Sequence, residues 1–251
     1  MNNQTLSKVY IRYRGDIPDG VNAAAAIEGF HNRGVEVVPF QGFGDVEALG
    51  DLGPSVGLVG FIGDIYSALR LLKKPLPLAL DYPDSLTEYF NRKIRRGILD
   101  EVYRSTERVF VKPVQQKLFT GFVWEGFKSA VSRTPGLPGN TEVWISECVE
   151  FLSEYRTFVL DGKILDCRRY KGDWSKAPDK RMLETAVDIY SMGCDSPRAF
   201  CLDVGITNID PCCLVEVNNA YAFGHYGLQS ELYAQMLEAT WIEMTSPSSI
   251  R

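Results

Sequence analysis

The stretch Leu214-Val215-Glu216-Val217-Asn218-Asn219 decides how the chain is read. Side chains alternate along a strand, so Glu216 and Asn218 share one face while Val215 and Val217 take the other. Taken alone, such a strand is either an edge with a solvated polar face or half of a magnesium site. Just upstream, Phe200-Cys201-Leu202-Asp203-Val204 is an apolar run carrying one carboxylate. That carboxylate is expensive to bury unless a cation or strong donors meet it. Magnesium takes oxygen ligands and keeps waters and substrate phosphates as the remainder of its shell, so Asp203, Glu216 and Asn218 are candidate ligands for metal-bound ATP.

Composition limits what else the chain can be. With 251 residues, 45% hydrophobic and 24% charged, it can bury a sizeable core in one large domain or two smaller ones. A formal net charge of −5 argues against general binding to nucleic acid or to membrane surfaces, which draws on clustered Lys and Arg. No apolar run reaches transmembrane length, and MNNQTLSKVYIRYRG lacks a signal-peptide core, so a cytoplasmic location is expected. The six cysteines form no CxxC pair and are read as reduced structural residues. With only His31 and His225 present, a histidine-based metal site or a Ser-His-Asp triad has little material.

The N-terminal third alternates strand and helix. Lys8-Val9-Tyr10-Ile11-Arg12-Tyr13 reads as a strand, the alanine-rich residues 21–33 as a helix stopped by Gly34, and Val35-Glu36-Val37-Val38 as a second strand. A third strand over 56–62 and a helix over 65–72 follow, a pattern that predicts a parallel sheet with crossovers. Glycines at 57, 60 and 63 do not match the dinucleotide fingerprint, and no Walker A motif occurs. Pro75, Pro77 and Pro83 mark a boundary, giving domains at 1–83 and 84–251. Beyond it, Ser85-Leu86-Thr87-Glu88 predicts a capping box opening a helix to about Arg104, with Arg92, Lys93, Arg95 and Arg96 on it.

The texture then changes to strands and hairpins. In Val109-Phe110-Val111-Lys112-Pro113 the lysine sits among apolar residues and calls for an anion. A loop over residues 115–121, with Lys117, is placed to fold over phosphates, and Glu142 to Val149 form another strand. Tyr155 to Leu160 pair with Lys163 to Tyr170 across Asp161-Gly162, a strong hairpin signal. Arg156 opens this hairpin and Arg168, Arg169 and Lys171 close it. Strict alternation puts Arg169 and Lys171 on one face, with Arg168, Asp166 and Tyr170 on the other. Cross-strand pairing with Asp161, Asp166 or Glu154 explains these cations as readily as an anionic ligand does.

Lys112 in VFVKP, the strand ending at Glu147-Cys148-Val149, Arg156 before VLDG, the basic return strand, Asp203 and the final E-V-N resemble, in that order, the ATP-grasp enzymes. SEYRTFVLDGKILDCRRYKGDW and LVEVNNAYAFGHYGL are similar to the small ATP-grasp proteins named for a signature of two arginines and a lysine. The resemblance covers about residues 105–243. It implies a small α/β pre-grasp domain followed by an α+β ATP-grasp fold, in which two subdomains with antiparallel sheets clasp ATP. It further implies that Lys112 touches the phosphates, that Glu147-Cys148-Val149 meets adenine through its backbone, and that Glu150 or Glu154 reaches the ribose. Asp203, Glu216 and Asn218 would hold one or two Mg2+ ions, and Arg156, Arg169 and Lys171 would bind the transferred phosphoryl group or a substrate carboxylate. The chain departs from the pattern in two places. For the second phosphate-binding lysine Lys93 is the nearest candidate, with Arg92 and Arg95 competing. The phosphate-covering loop has Lys117 and Phe119 where a glycine-rich stretch is familiar.

The function implied is an ATP-dependent carboxylate-amine ligase that forms an amide or peptide bond through an acyl phosphate, with small-molecule or peptide carboxylate and amine substrates. An ATP-binding module without ligase activity and a small-molecule kinase are the competing readings. Residues 228–244, with Leu232, Met236 and Trp241 on one stripe, are read as a core helix, with a homodimer face as the alternative.

Overall fold

A computed structural model describes residues 5–126 and 133–246, so the outer bounds of the expected domains, at 1 and 251, lie outside the described residues. The first layer is built on β1 (Lys8–Arg14), whose Val9, Tyr10 and Ile11 are all buried, as a central parallel strand requires. It lies between β3 (Glu36–Phe40) and β4 (Val56–Val59), both parallel to it, and pairs near its end with the short antiparallel β2 (Ile17–Pro18). Helices α1 (Val21–Asn32) and α2 (Phe43–Leu49) provide the crossovers, and α3 (Ile62–Leu71) follows β4 and leads out of the sheet. Gly34, at φ 72°, ends α1 as expected, its N–H donating to the His31 carbonyl. This is the α/β pattern expected from the sequence.

The helix expected over 85–104 is not there. The chain makes a 3-10 turn at Asp84–Tyr89, then β5 (Ile94–Ile98) and the short α4 (Leu99–Arg104). Asn91 at φ 49° breaks any continuous helix, and Gly97 would weaken one by about 1 kcal/mol. Pairing of β5 with a neighbouring strand supplies the alternative. That neighbour is β8 (Glu142–Glu147), which continues through β6 (Val109–Pro113) to β7 (Phe122–Trp124) in a four-stranded antiparallel sheet ordered β5-β8-β6-β7. Leu99, Val111, Trp124 and Val143 form its own small core.

The third sheet is antiparallel, ordered β10-β9-β11-β12, and comprises β9 (Ser153–Leu160), β10 (Lys163–Gly172), β11 (Ala199–Ile206) and β12 (Cys213–Asn219). The Asp161-Gly162 hairpin forms as expected, both residues taking positive φ. Helix α5 (Lys180–Ser191), capped by Asp179 accepting the Met182 N–H at 2.8 Å, covers one face through Leu183, Val187 and Tyr190. Every residue of β11 is buried because both faces are covered.

Helix α6 (Ser230–Thr245) returns to the first layer. Met236, Leu237 and Trp241 join the core made by Val9, Ile11, Phe30 and Leu69. The Trp241 Nε1–H donates to the Gly53 carbonyl at 2.9 Å, and the Leu6 N–H donates to Glu238 at 2.7 Å. The residues read as a core helix are therefore core, although their partners lie across the boundary proposed near residue 83. Gly29 makes this contact possible, since a Cβ there would stand 1.9 Å from the Ser230 carbonyl oxygen. Gly29→Ala is expected to separate α1 from α6 and cost about 1–3 kcal/mol, read as a lower denaturant midpoint at unchanged slope.

Candidate active site

Register gathers the expected residues on one face of the third sheet. Asp203 stands opposite Arg156 on β9 and opposite Glu216 on β12, and Asn218 lies opposite Cys201. Residues directly opposite in an antiparallel pair point the same way, so Arg156, Asp203, Glu216 and Asn218 form a single wall. Arg156 grips Asp203 with two hydrogen bonds, Nε to Oδ1 at 2.8 Å and Nη2 to Oδ2 at 2.6 Å. The pair is almost fully buried, at 9% and 2% side-chain exposure. Burial pushes the Asp203 carboxyl up to about 6 against the pull of Arg156. Although burial opposes the charge on Arg156, Asp203 holds the guanidinium above its ordinary value.

Lys112, reaching in from β6, donates to Glu216 at 2.7 Å and to Asp81 at 2.5 Å. The anion demanded by the sequence is thus supplied within the chain. Burial works against the charges of Lys112 and Glu216, yet each holds the other ionised, raising the ammonium and lowering the carboxyl. The Asn218 amide donates to Glu216 at 2.9 Å and to Asp203 at 3.2 Å.

Two cavities meet at Lys112 and Glu216. One, of about 650 Å³, is bounded by Tyr82, Glu147, Cys148, Val149, Glu154 and Lys171. The other, of about 570 Å³, runs along Lys117, Arg156, Asn218, Tyr221 and Tyr226. Both fall in the range of small-molecule and cofactor sites. A smaller third cavity of about 190 Å³, lined by Arg12, Asp19, Asn22 and Phe61, shares Lys117 and Tyr221 with the second. Gln116 ties the covering loop down by accepting from the Tyr221 hydroxyl at 2.9 Å and the Tyr66 hydroxyl at 3.3 Å.

Three expectations need correction. A bulge between Arg169 and Lys171 inserts one residue, so Lys171 pairs with Glu154 and faces the same side as Arg156 and Arg168. Lys171 accordingly forms an ion pair with Glu154, to which the Tyr170 hydroxyl also donates at 2.9 Å. Arg169 lies opposite Tyr155 on the reverse face, exposed and donating to the Gly172 carbonyl, outside the cluster. The three candidate upstream cations do not lie on a helix, and two of them are already paired within the chain. Arg92 is spent on the Leu214 and Phe90 carbonyls and Ser146, and Arg95 on Glu101. Lys93 is exposed, with its backbone paired to Glu147.

Asp81, Tyr82 and Tyr226 were not foreseen. Tyr226 stacks on Tyr170 at 5.1 Å and lies 5.1 Å under the Arg156 guanidinium. Its nearness to E-V-N in sequence was the available signal. No pattern pointed to Asp81.

The donor chemistry of the wall fits magnesium, which takes one or two protein carboxylates beside phosphates and waters. Among the described residues no group of three or more His, Cys, Asp or Glu side chains is placed to hold a metal, so the fit rests on Asp203, Glu216 and the Asn218 carboxamide together.

The model for family 2 of the ATP-grasp domain clade named for two arginines and a lysine matches residues 89–236. The chain belongs to this ATP-grasp family. The fold of this ATP-grasp protein is also found in solved structures of low sequence identity. N5-carboxyaminoimidazole synthetase from Staphylococcus aureus superposes with a TM-score of 0.60 at 12% identity, over 93% of this chain and 77% of that one. D-alanine–D-alanine ligase from Bacillus anthracis gives 0.53 at 14% identity, over 95% and 96%. The ATP-grasp ligase PsnB, complexed with precursor peptide PsnA2 and AMPPNP, gives 0.50 at 14%, over 96% and 99%. No curated protein sequence matches the chain. Among the described residues of this ATP-grasp protein, no helix is long and apolar enough to cross a membrane.

Proposed function

We propose that this ATP-grasp protein is an ATP-dependent carboxylate-amine ligase that forms an amide or peptide bond through an acyl phosphate. The observation that carries the reading is the hydrogen-bonded cluster of Lys112, Arg156, Asp203, Glu216 and Asn218, of which Lys112 and Glu216 line both of two cavities that meet between two antiparallel sheets.

The larger cavity receives the nucleotide, with adenine against the backbone of Glu147-Cys148-Val149 and the ribose toward Glu154. Lys112 binds phosphate oxygens, exchanging an internal carboxylate for an external anion, and Lys117 approaches from the covering loop. Asp203, Glu216 and Asn218 would hold magnesium, which when bound supplies charge neutralisation on the transferring phosphoryl group. A substrate carboxylate oxygen attacks the γ-phosphorus as the bond to ADP breaks. Arg156 and Lys171 face the oxygens on which charge is spread. The amine nitrogen of the second substrate then attacks the acyl carbonyl, losing a proton as phosphate departs. Positioning and fixed charge supply most of the rate, so no paired nucleophile is needed. The small cavity beside Lys117 offers room for the acceptor, an amino acid or a peptide end. We place the enzyme in the cytoplasm.

Incubation with ATP, magnesium and a panel of amino acids and peptides tests this. One ADP and one phosphate released per amide bond is the expected result. A stable phosphorylated product would mean a kinase, and nucleotide binding without turnover a binding module.

A further inference from the structure

Asp81 lies eight residues before the segment matched by the family model, in the extended connection after α3. It is nonetheless 7% exposed and sits at the centre of the site. Its two carboxylate oxygens take separate donors, Lys112 Nζ at 2.5 Å and Trp144 Nε1 at 2.9 Å. Lys112 and Trp144 are themselves direct partners across β6 and β8, so one carboxylate clamps a cross-strand pair. Its backbone carbonyl accepts the Val217 N–H at 2.8 Å, between Glu216 and Asn218 on β12. Asp81 therefore joins the sheet that carries Lys112 to the sheet that carries the metal wall.

The geometry is specific enough to require an unusual backbone. Asp81 stands at φ 43°, a region that non-glycine residues seldom enter and that Asp tolerates better than most. The next residue, Tyr82, is buried edge-on against Trp144 at 5.1 Å and lies 5.2 Å from the Lys112 ammonium. The connecting segment is thus locked on both sides of the carboxylate.

Lys112 has two internal counter-ions, and they are not equivalent. Glu216 belongs to the oxygen set that suits a metal, whereas Asp81 has its second oxygen taken by Trp144 Nε1. We propose that Asp81 is a positioning residue, the counter-ion that keeps Lys112 aimed at the nucleotide phosphates when Glu216 is engaged elsewhere. The inference rests on the ATP-binding reading above. Its consequence is that the nucleotide site is completed by a residue outside the matched ATP-grasp segment.

Titration of the full-length protein with ATP and with a non-hydrolysable analogue, with and without magnesium, provides the test, alongside thermal unfolding of each variant. Asp81→Asn keeps the size and the backbone bridge while removing the charge. It is expected to weaken nucleotide binding about tenfold, read as a rise in KM for ATP that exceeds any fall in kcat. Asp81→Glu restores the charge and should recover part of the loss, which also covers the case of an Asn variant that does not fold. In a Lys112→Ala background, Asp81→Asn should weaken binding no further, because a positioning residue acts only through the group it positions. Additive losses, or wild-type affinity in Asp81→Asn, overturn the proposal, as does a lowered melting temperature with unchanged affinity of the folded protein. If the wild type itself binds no nucleotide, the ATP reading fails first and the inference falls with it.

Discussion

Glu216→Ala is expected to abolish ATP turnover, by about a thousandfold or more, while leaving the protein folded. The magnitude follows from the proposed role of Glu216 as a magnesium ligand, worth about 4 kcal/mol of transition-state stabilisation or more. The fold survives because Glu216 is not the only anion on Lys112: Asp81 remains at 2.5 Å, and the side chain is 29% exposed, so water replaces it. Magnesium-dependent ADP release measured beside a melting curve separates the two effects. A variant that keeps wild-type turnover removes Glu216 from the metal site.

Asp203→Ala is expected to lose turnover and to unfold far more easily, by about 3–5 kcal/mol. Here the carboxylate is the sole partner to both hydrogen bonds that Arg156 makes to it, and its removal strands a guanidinium at 9% exposure. On a total stability of about 5–15 kcal/mol, that is a large fraction. The cost belongs to the unpaired charge rather than to the lost contact. Replacing both partners with apolar residues, Arg156→Met with Asp203→Leu, should recover most of the stability and none of the activity. Urea midpoints of the single and double variants check this, and a double variant no more stable than Asp203→Ala would contradict the account.

The contrast between these two carboxylates shows how far residue patterns reach. Both were legible as candidate ligands from strand alternation and from a charge in an apolar run. Their different depths were not, because burial depends on what covers each face: α5 and the first layer close over β11, whereas β12 borders an open cleft. The Asp161-Gly162 hairpin was equally legible, since the turn chemistry is local. The face of Lys171 was misassigned because a bulge leaves no mark that separates it from regular pairing. The stretch 85–104 misled for a related reason. Its capping pattern and apolar spacing satisfy a helix locally, and only the partner strand β8 makes β5 the better use of Ile94 and Ile98. Asp81 was illegible altogether, because a lone Asp in a loop gains its meaning from three partners 31, 63 and 136 positions away.

The return of α6 to the first layer has a kinetic side. Strands β1, β3 and β4 leave the ribosome well before α6 and are neighbours in sequence, so they are equipped to pair at once. Their core nevertheless lacks Met236, Leu237 and Trp241 until α6 has been made. During synthesis the first layer waits with Phe30, Ile11 and Leu69 uncovered, the interval in which a nascent chain is most exposed to aggregation and most in need of a chaperone.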